Sequence, residues 1–378
     1  MRILFLDQSG KPGGAELCLI DIAKPYRQNC LVGLFADGSF RDLLEKKQIP
    51  VKILTNQAIE VRKESSFKQG LASLNQLLPL IIKVANIARD YDLIYANTQK
   101  ALVIGAIASF LSRRKLVYHL HDILSPEHFS KTNRTIAVAL ANRFAKLIIA
   151  NSQASKNAFI EAGGRGDIVE VIYNGFDSKS YQINQVEVKS LRQELQLEDK
   201  FIIGHFSRLS PWKGQHVLIE AIAHSPAEVT AIFVGDALFG EQEYVKQLHE
   251  QVSKLKLENR IKFLGFRSDI PQLMSACNLV AHTSTAAEPF GRVIVEAMLC
   301  GKPVVAANAG GAIEIVEPGV NGFLVTPNKP QELAQVITTC VKEPSKTSML
   351  AENALCSARS KFDVAIINQQ ITQALSKI

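Results

Sequence analysis

Two glutamates eight residues apart, at the ends of Glu288-Pro289-Phe290-Gly291-Arg292-Val293-Ile294-Val295-Glu296, form the most specific chemical pattern in the sequence. The segment follows a β-rich run and opens a helical one. Eight residues are slightly more than two helical turns, so the spacing predicts both carboxylates on one side. A helix start at Gly291 exposes backbone N–H groups and a positive dipole end, which suits a diphosphate or sugar hydroxyls. Carboxylates accept hydrogen bonds from hydroxyl pairs on ribose or hexose. Solvated helices carry the same spacing, and the pair alone leaves both readings open.

A second pattern is Ser207-Arg208-Leu209-Ser210-Pro211-Trp212-Lys213-Gly214. Arg208 and Lys213 stand five apart after a β-rich run, where both can reach one phosphate and neutralise a departing diphosphate. Two exposed cations on a turn would look the same, and the Gly-x-x-x-x-Gly-Lys-Ser/Thr signature of a Walker loop is absent. The third, Gly10-Lys11-Pro12-Gly13-Gly14-Ala15-Glu16, has paired glycines that either let backbone approach a ligand at a helix N-terminus or make a plain strand-to-helix turn. It lacks the Gly-x-Gly-x-x-Gly dinucleotide fingerprint, which argues against a nicotinamide-dependent oxidoreductase. The fourth, Tyr118-His119-Leu120-His121-Asp122, ends a β-rich run with a histidine on the side opposite Leu120. That histidine has a structural reading as well as a catalytic one.

The elements that must hold these residues are strands alternating with helices. Runs at 2–6, 30–36, 51–54, 92–97, 115–121, 146–151 and 169–173 form one series. Runs at 201–206, 231–234, 261–266, 279–283, 303–307 and 322–325 form another. The alternation predicts an α/β fold of two doubly wound parallel sheets, Rossmann-like, with crossover helices on both faces. Ligands in such sheets lie beyond the carboxyl ends of the strands, so two facing domains would share a cleft. The stretch 174–200 reads as the connector. The expected boundaries are 1–175 with a returning C-terminal helix at about 363–378, and 176–362. A chain of 378 residues suits two cores, since single cores stop growing near about 250 to 300 residues.

In this order the motifs resemble glycosyltransferase family 4, on the GT-B fold. The resemblance covers nearly the whole chain: Gly13-Gly14-Ala15-Glu16, His121-Asp122, Ile149-Ala150-Asn151-Ser152, Val171-Ile172-Tyr173-Asn174-Gly175, the Arg208/Lys213 stretch, Phe263-Leu264-Gly265-Phe266, and Glu288 to Glu296. Ser207 departs from it, standing where the family usually has glycine. The resemblance implies a retaining hexosyltransferase that moves a hexose from a nucleotide-sugar, with UDP favoured over GDP, to a glycan, lipid-linked or small-molecule acceptor by front-face substitution. GDP-mannose-dependent mannosyl transfer is the alternative donor chemistry. It also implies roles. His121, Arg208, Lys213 and Glu288 form the catalytic set, with Arg208 and Lys213 on the diphosphate, Glu288 on the transferred sugar and His121 at that sugar from the opposite wall. Gly13, Gly14, Arg267, Phe290, Gly291, Arg292, Val293 and Glu296 hold the donor, Glu296 at the ribose hydroxyls and Gly265 to Arg267 flanking the base. Glu16, Asn97 and Asp122 are the acceptor candidates. No cofactor and no metal are expected, because the cation pair can do what a divalent ion does elsewhere.

Composition narrows the setting. With 47% hydrophobic and 21% charged residues, long disorder and fibrous repeats are excluded. The six cysteines show no C-x-x-C pair, which supports neither a zinc site nor a disulfide framework and suits a reducing compartment. The apolar start at 3–6 is too short for a signal peptide, and the longest apolar stretch, 101–111, falls short of the roughly 18 to 20 residues that span a bilayer. A cytoplasmic protein is expected. Residues 1–176 hold 23 Lys/Arg against 15 Asp/Glu, whereas the remainder is nearly balanced. A basic half suits an anionic membrane face or a glycan or lipid-linked acceptor, with Arg113, Arg114, Lys115, Lys131 and Arg134 as contacts, or is an ordinary solvated surface. No aromatic stripe accompanies it, so nucleic acid is not expected. A two-domain sugar-binding protein would share the cleft but not the leaving-group cations. A phosphorylase would need a pyridoxal phosphate lysine that no motif supplies.

Overall fold

The computed structural model describes residues 1–55, 67–237 and 240–378, with the side chains of the helix Phe67–Ala88 described from Leu77 onward. The chain divides into two compact units, Met1–Gly175 with Val364–Ile378, and Phe176–Asp363.

The first unit is built on β1 (Ile3–Asp7), β2 (Cys30–Leu34), β3 (Val51–Ile53), β4 (Leu93–Ala96), β5 (Lys115–Leu120), β6 (Ala145–Ala150) and β7 (Val169–Val171). They pair in parallel in the order β3-β2-β1-β4-β5-β6-β7. Parallel pairing needs crossovers that cover both faces, and the burial follows the pleat. Leu4 and Leu6 pack with Leu102 and Ile104 of the helix Gln99–Ser112, while Ile3 and Phe5 pack with Cys18 and Leu19. The same second face takes Ile367 and Ile371 of the C-terminal helix Val364–Ser376. Burying each such side chain contributes about 1.5–3 kcal/mol. Asn368 Nδ2 donates to Asp21 O at 3.1 Å, fixing the helix to this unit.

The second unit carries β8 (Phe201–Phe206), β9 (Val229–Val234), β10 (Ile261–Phe263), β11 (Leu279–His282), β12 (Val304–Ala307) and β13 (Phe323–Val325), all parallel, in the order β10-β9-β8-β11-β12-β13. The order in which strands are added reverses once in each sheet, between β1 and β4 and between β8 and β11. At such a point the loops leaving the two carboxyl ends diverge and leave a crevice. The residues delivered there are 7–14 and Asn97 in the first unit, and 207–214 and 283–288 in the second. Among the described residues no helix is long and apolar enough to cross a membrane.

Candidate functional site

In the second unit the loop after β8 tightens into a single 3-10 turn, Pro211–Lys213, and closes at Gly214 with φ +71°. A Cβ at Gly214 would lie 1.9 Å from the carbonyl oxygen of Thr283, so only glycine lets this loop rest on the end of β11. Thr283 Oγ1 donates to Gly214 O at 2.8 Å, locking the approach. The consequence is that Lys213 meets Glu288. Its Nζ donates to both carboxylate oxygens, at 3.0 and 2.7 Å, and lies 4.0 Å from the centre of the Trp212 ring.

Glu288 has further support. Ser284 Oγ donates to its Oε2 at 3.0 Å and His282 Nε2 stands 3.1 Å from the same atom. Gly311 N donates to its carbonyl at 2.7 Å, and a Cβ at Gly310, where φ is +62°, would strike that carbonyl at 2.2 Å. Burial alone would raise the Glu288 carboxyl, but the Lys213 ammonium and His282 outweigh it and hold the group well below the usual carboxylate range. Glu288 is therefore an anion at neutral pH, held in place against Lys213.

The reason Glu288 and Glu296 share this region differs from the one their spacing suggests. The helix begins only at Arg292, after Gly291 with φ +100°, so Glu288 lies outside it and is held by a bridge to Gly310 beyond β12. Glu296, inside the helix, is flanked by Arg292 Nε at 3.5 Å and bonded to Tyr181. Burial raises its carboxyl against both partners. The Arg292 guanidinium stacks 4.4 Å from the Phe176 ring centre. Phe290 is a core residue by its side chain, 2% exposed, between Phe176 and Phe362, so only its backbone can face a ligand. Val293 occupies the first helical turn, half-buried. Arg208 Nε lies 3.7 Å from Glu241 Oε2. Arg267 is clamped by Asp269 at 2.6 and 2.8 Å, beside Phe266, which is 74% exposed.

In the first unit, Gly13 and Gly14 are exposed at the start of the helix Gly14–Ala23. Asn97 joins the two carboxyl ends that meet there, donating from Nδ2 to Asp7 Oδ2 at 2.7 Å and to Ala15 O at 3.2 Å, with His121 Nε2 2.9 Å from its Oδ1. Glu16 Oε2 accepts from Gly13 N at 2.9 Å. Asn97 and Glu16, expected at an acceptor, are instead buried and engaged within the unit: one orients His121 and the other closes the helix start. Burial raises the carboxyls of Asp7 and Glu16, for Glu16 together with the charge of Asp7. Burial also raises Asp122. His119 is buried with Nδ1 2.9 Å from Tyr95 Oη, its ring centre 3.8 Å from that of His121.

Sequence reasoning overlooked His282, Ser284, Gly310, Gly311, Asp7 and His119. The available signal was position: His282 and Ser284 end and follow β11, Gly310-Gly311 follow β12, and Asp7 ends β1, all at carboxyl ends of strands.

Two sequence families match consecutive parts of the chain, "Glycosyltransferase Family 4" over residues 12–180 and "Glycosyl transferases group 1" over residues 187–355. The chain belongs to glycosyltransferase family 4 and has the GT-B fold. It is 66% identical to HepE of Anabaena, with all of both chains covered and a TM-score of 0.94 for the crystal structure of that protein in complex with UDP-glucose. HepE has also been crystallised with UDP, and with UDP and glucose. The putative glycosyltransferase YtcC of Bacillus subtilis is 29% identical over 285 residues, covering 71% of this chain and 68% of that one. Spore coat protein SA of the same organism is 31% identical over 207 residues, which span 51% of this chain and 54% of that protein.

Proposed function

We propose that this chain transfers a hexose, glucose foremost, from a UDP-sugar to a hydroxyl of a glycan or lipid-linked acceptor, with retention of anomeric configuration and without a metal ion. The observation that carries the reading is Lys213 held against Glu288 at the strand ends where β8 and β11 part. The complex of HepE with UDP-glucose, at 66% identity, supports the choice of donor.

In this reading the bond from the anomeric carbon to the diphosphate oxygen breaks while the acceptor oxygen bonds to that carbon on the same face. The departing phosphate oxygen takes the acceptor proton. Lys213 and Arg208 neutralise the charge that gathers on the diphosphate. Glu288, ionised and fixed, accepts hydrogen bonds from the sugar hydroxyls, and Glu296 accepts from the ribose. The N–H groups of Phe290, Gly291, Arg292 and Val293 at the helix start and that of Gly14 complete the donor contacts, Gly13 contributing only the open space of a residue without a side chain, with Gly265 to Arg267 beside the base. His121, oriented by Asn97, serves the sugar, and Asp122 the acceptor.

The protein works at the cytoplasmic face of a membrane in this reading. Arg113, Arg114 and Lys115 adjoin Phe110, 67% exposed, and Leu111, 46% exposed, at the end of one helix, a combination of cations and apolar side chains that suits an anionic bilayer surface. The test of the reaction is a screen for nucleoside diphosphate release from UDP-, GDP- and ADP-sugars. UDP release from UDP-glucose is expected; release from GDP-mannose alone would replace the donor assignment, and no release from any donor would overturn the enzyme.

A further inference from the structure

We propose that Cys18, His119 and His121 form a binding site for a thiophilic divalent ion of the zinc type, occupied in an inhibited form of the protein. The three residues come from two elements distant in sequence. Cys18 lies in the helix Gly14–Ala23, His119 in β5, and His121 just beyond it. One ligand atom from each, the sulfur and two ring nitrogens, lies within 4.8 Å of the others, and Cys18 and His119 are buried. Each histidine already has its other ring nitrogen held from outside. Tyr95 Oη lies 2.9 Å from His119 Nδ1, and Asn97 Oδ1 lies 2.9 Å from His121 Nε2. Such outer hydrogen bonds fix the ring orientation of metal-bound histidines. His119 Nε2, in a side chain 2% exposed, has no hydrogen-bond partner, which is an unexplained cost unless something binds there.

Two imidazoles and one thiolate match zinc, with a fourth position left for water. On binding, the ion replaces the Sγ proton of Cys18, which now points at Asn174 Oδ1 at 3.2 Å, and that proton passes to solvent. No electrons move. The ion would pin His121, so inhibition of transfer follows if the proposed function holds; binding itself does not depend on that reading.

The chain, stripped with a chelator and kept reduced, is titrated with Co2+ and with Zn2+. One ion per chain is expected, with a thiolate-to-cobalt charge-transfer band that Cys18→Ser abolishes and that Cys356→Ser, at an exposed cysteine, leaves in place. His119→Gln should weaken binding at least tenfold. X-ray absorption of the unmutated zinc-loaded chain should show one sulfur at about 2.3 Å and nitrogens at about 2.0–2.1 Å, a readout that stands even if a variant fails to fold. A shell of nitrogen and oxygen only, or a charge-transfer band unchanged in Cys18→Ser, would overturn the site. Zinc should also suppress UDP release in the unmutated chain and not in Cys18→Ser. If no donor gives UDP release, the function fails while the ion count and absorption data still decide the site.

Discussion

At the scale of single residues, the Lys213–Glu288 pair sets the terms for the rest of the site. Each charge is mostly withdrawn from water, with side chains 16% and 12% exposed, so removing one leaves the other uncompensated. A diphosphate arriving at Lys213 would replace part of what Glu288 supplies, and Glu288 would turn its oxygens to the sugar. Lys213→Ala is therefore expected to lower turnover at least a hundredfold, within the about 2.7 to 4 kcal/mol typical of lost charge stabilisation, while circular dichroism shows the fold intact. Near-normal turnover would remove Lys213 from the reaction. His282 and Ser284 both contact Glu288 Oε2, and under the proposed function they are positioning residues. For His282→Asn a fall in kcat of about tenfold is expected with little change in UDP binding, the size of one hydrogen bond to a charged group. Equal losses in UDP affinity would point to a general collapse of the loop instead. The cations and carboxylates were legible as motifs because they lie within runs of eight or nine residues. Their actual partners were not: His282 is the last residue of β11, Gly310 lies beyond β12, and Arg208 meets Glu241.

Elements place these residues through backbone conformations that few side chains permit. The loop after β8 reaches β11 because Gly214 holds a left-handed φ directly against Thr283 O. Gly214→Ala should cost about 1–3 kcal/mol of stability and move Lys213 off Glu288; a thermal melt and the UDP-release assay would register both, and an unchanged melt would contradict the strain. The start of the helix after β1 carries the opposite problem, two buried carboxyls with raised pKa. Glu16 titrates at about 8 against an ordinary value of 4.5. A raised folded-state pKa gives stability that is complete below the unfolded value and lost as pH rises through the folded one. The first unit should accordingly weaken between about pH 5 and 8, and Glu16→Gln, which keeps an acceptor for Gly13 N, should flatten that slope in denaturant unfolding. An unchanged slope would place the pH dependence elsewhere. The strand runs themselves were readable from alternation, each to within two residues at its start. The helix start was legible at Gly291, its N-cap, but the eight-residue spacing misplaced Glu288, which lies outside the helix because the chain turns through a left-handed Gly291 and periodicity alone does not reveal a φ angle.

At the scale of the whole chain, charge and metal dependence separate the competing pictures. With +7 net charge concentrated in the first 176 residues, binding to vesicles rich in anionic lipid should be strong at low salt and fade at several hundred millimolar. Reversal of Arg113, Arg114 and Lys115 to glutamate should abolish it without altering UDP release in solution; persistence would reduce the basic surface to ordinary solvation. A chelator should leave transfer intact or raise it, and loss of activity restored by Mg2+ would refute metal independence. By itself the sequence determined two α/β units, their strands and the motif residues, because hydrophobic alternation and turn chemistry are local properties that survive in a one-dimensional string. Tertiary structure alone decided which of those residues meet. The Lys213–Glu288 pair, the glycine cradle at Gly310, the burial of Asn97 and the gathering of Cys18 with His119 and His121 all arise where parallel strands distant in sequence end side by side, and strand order is a long-range packing outcome that no local spacing encodes.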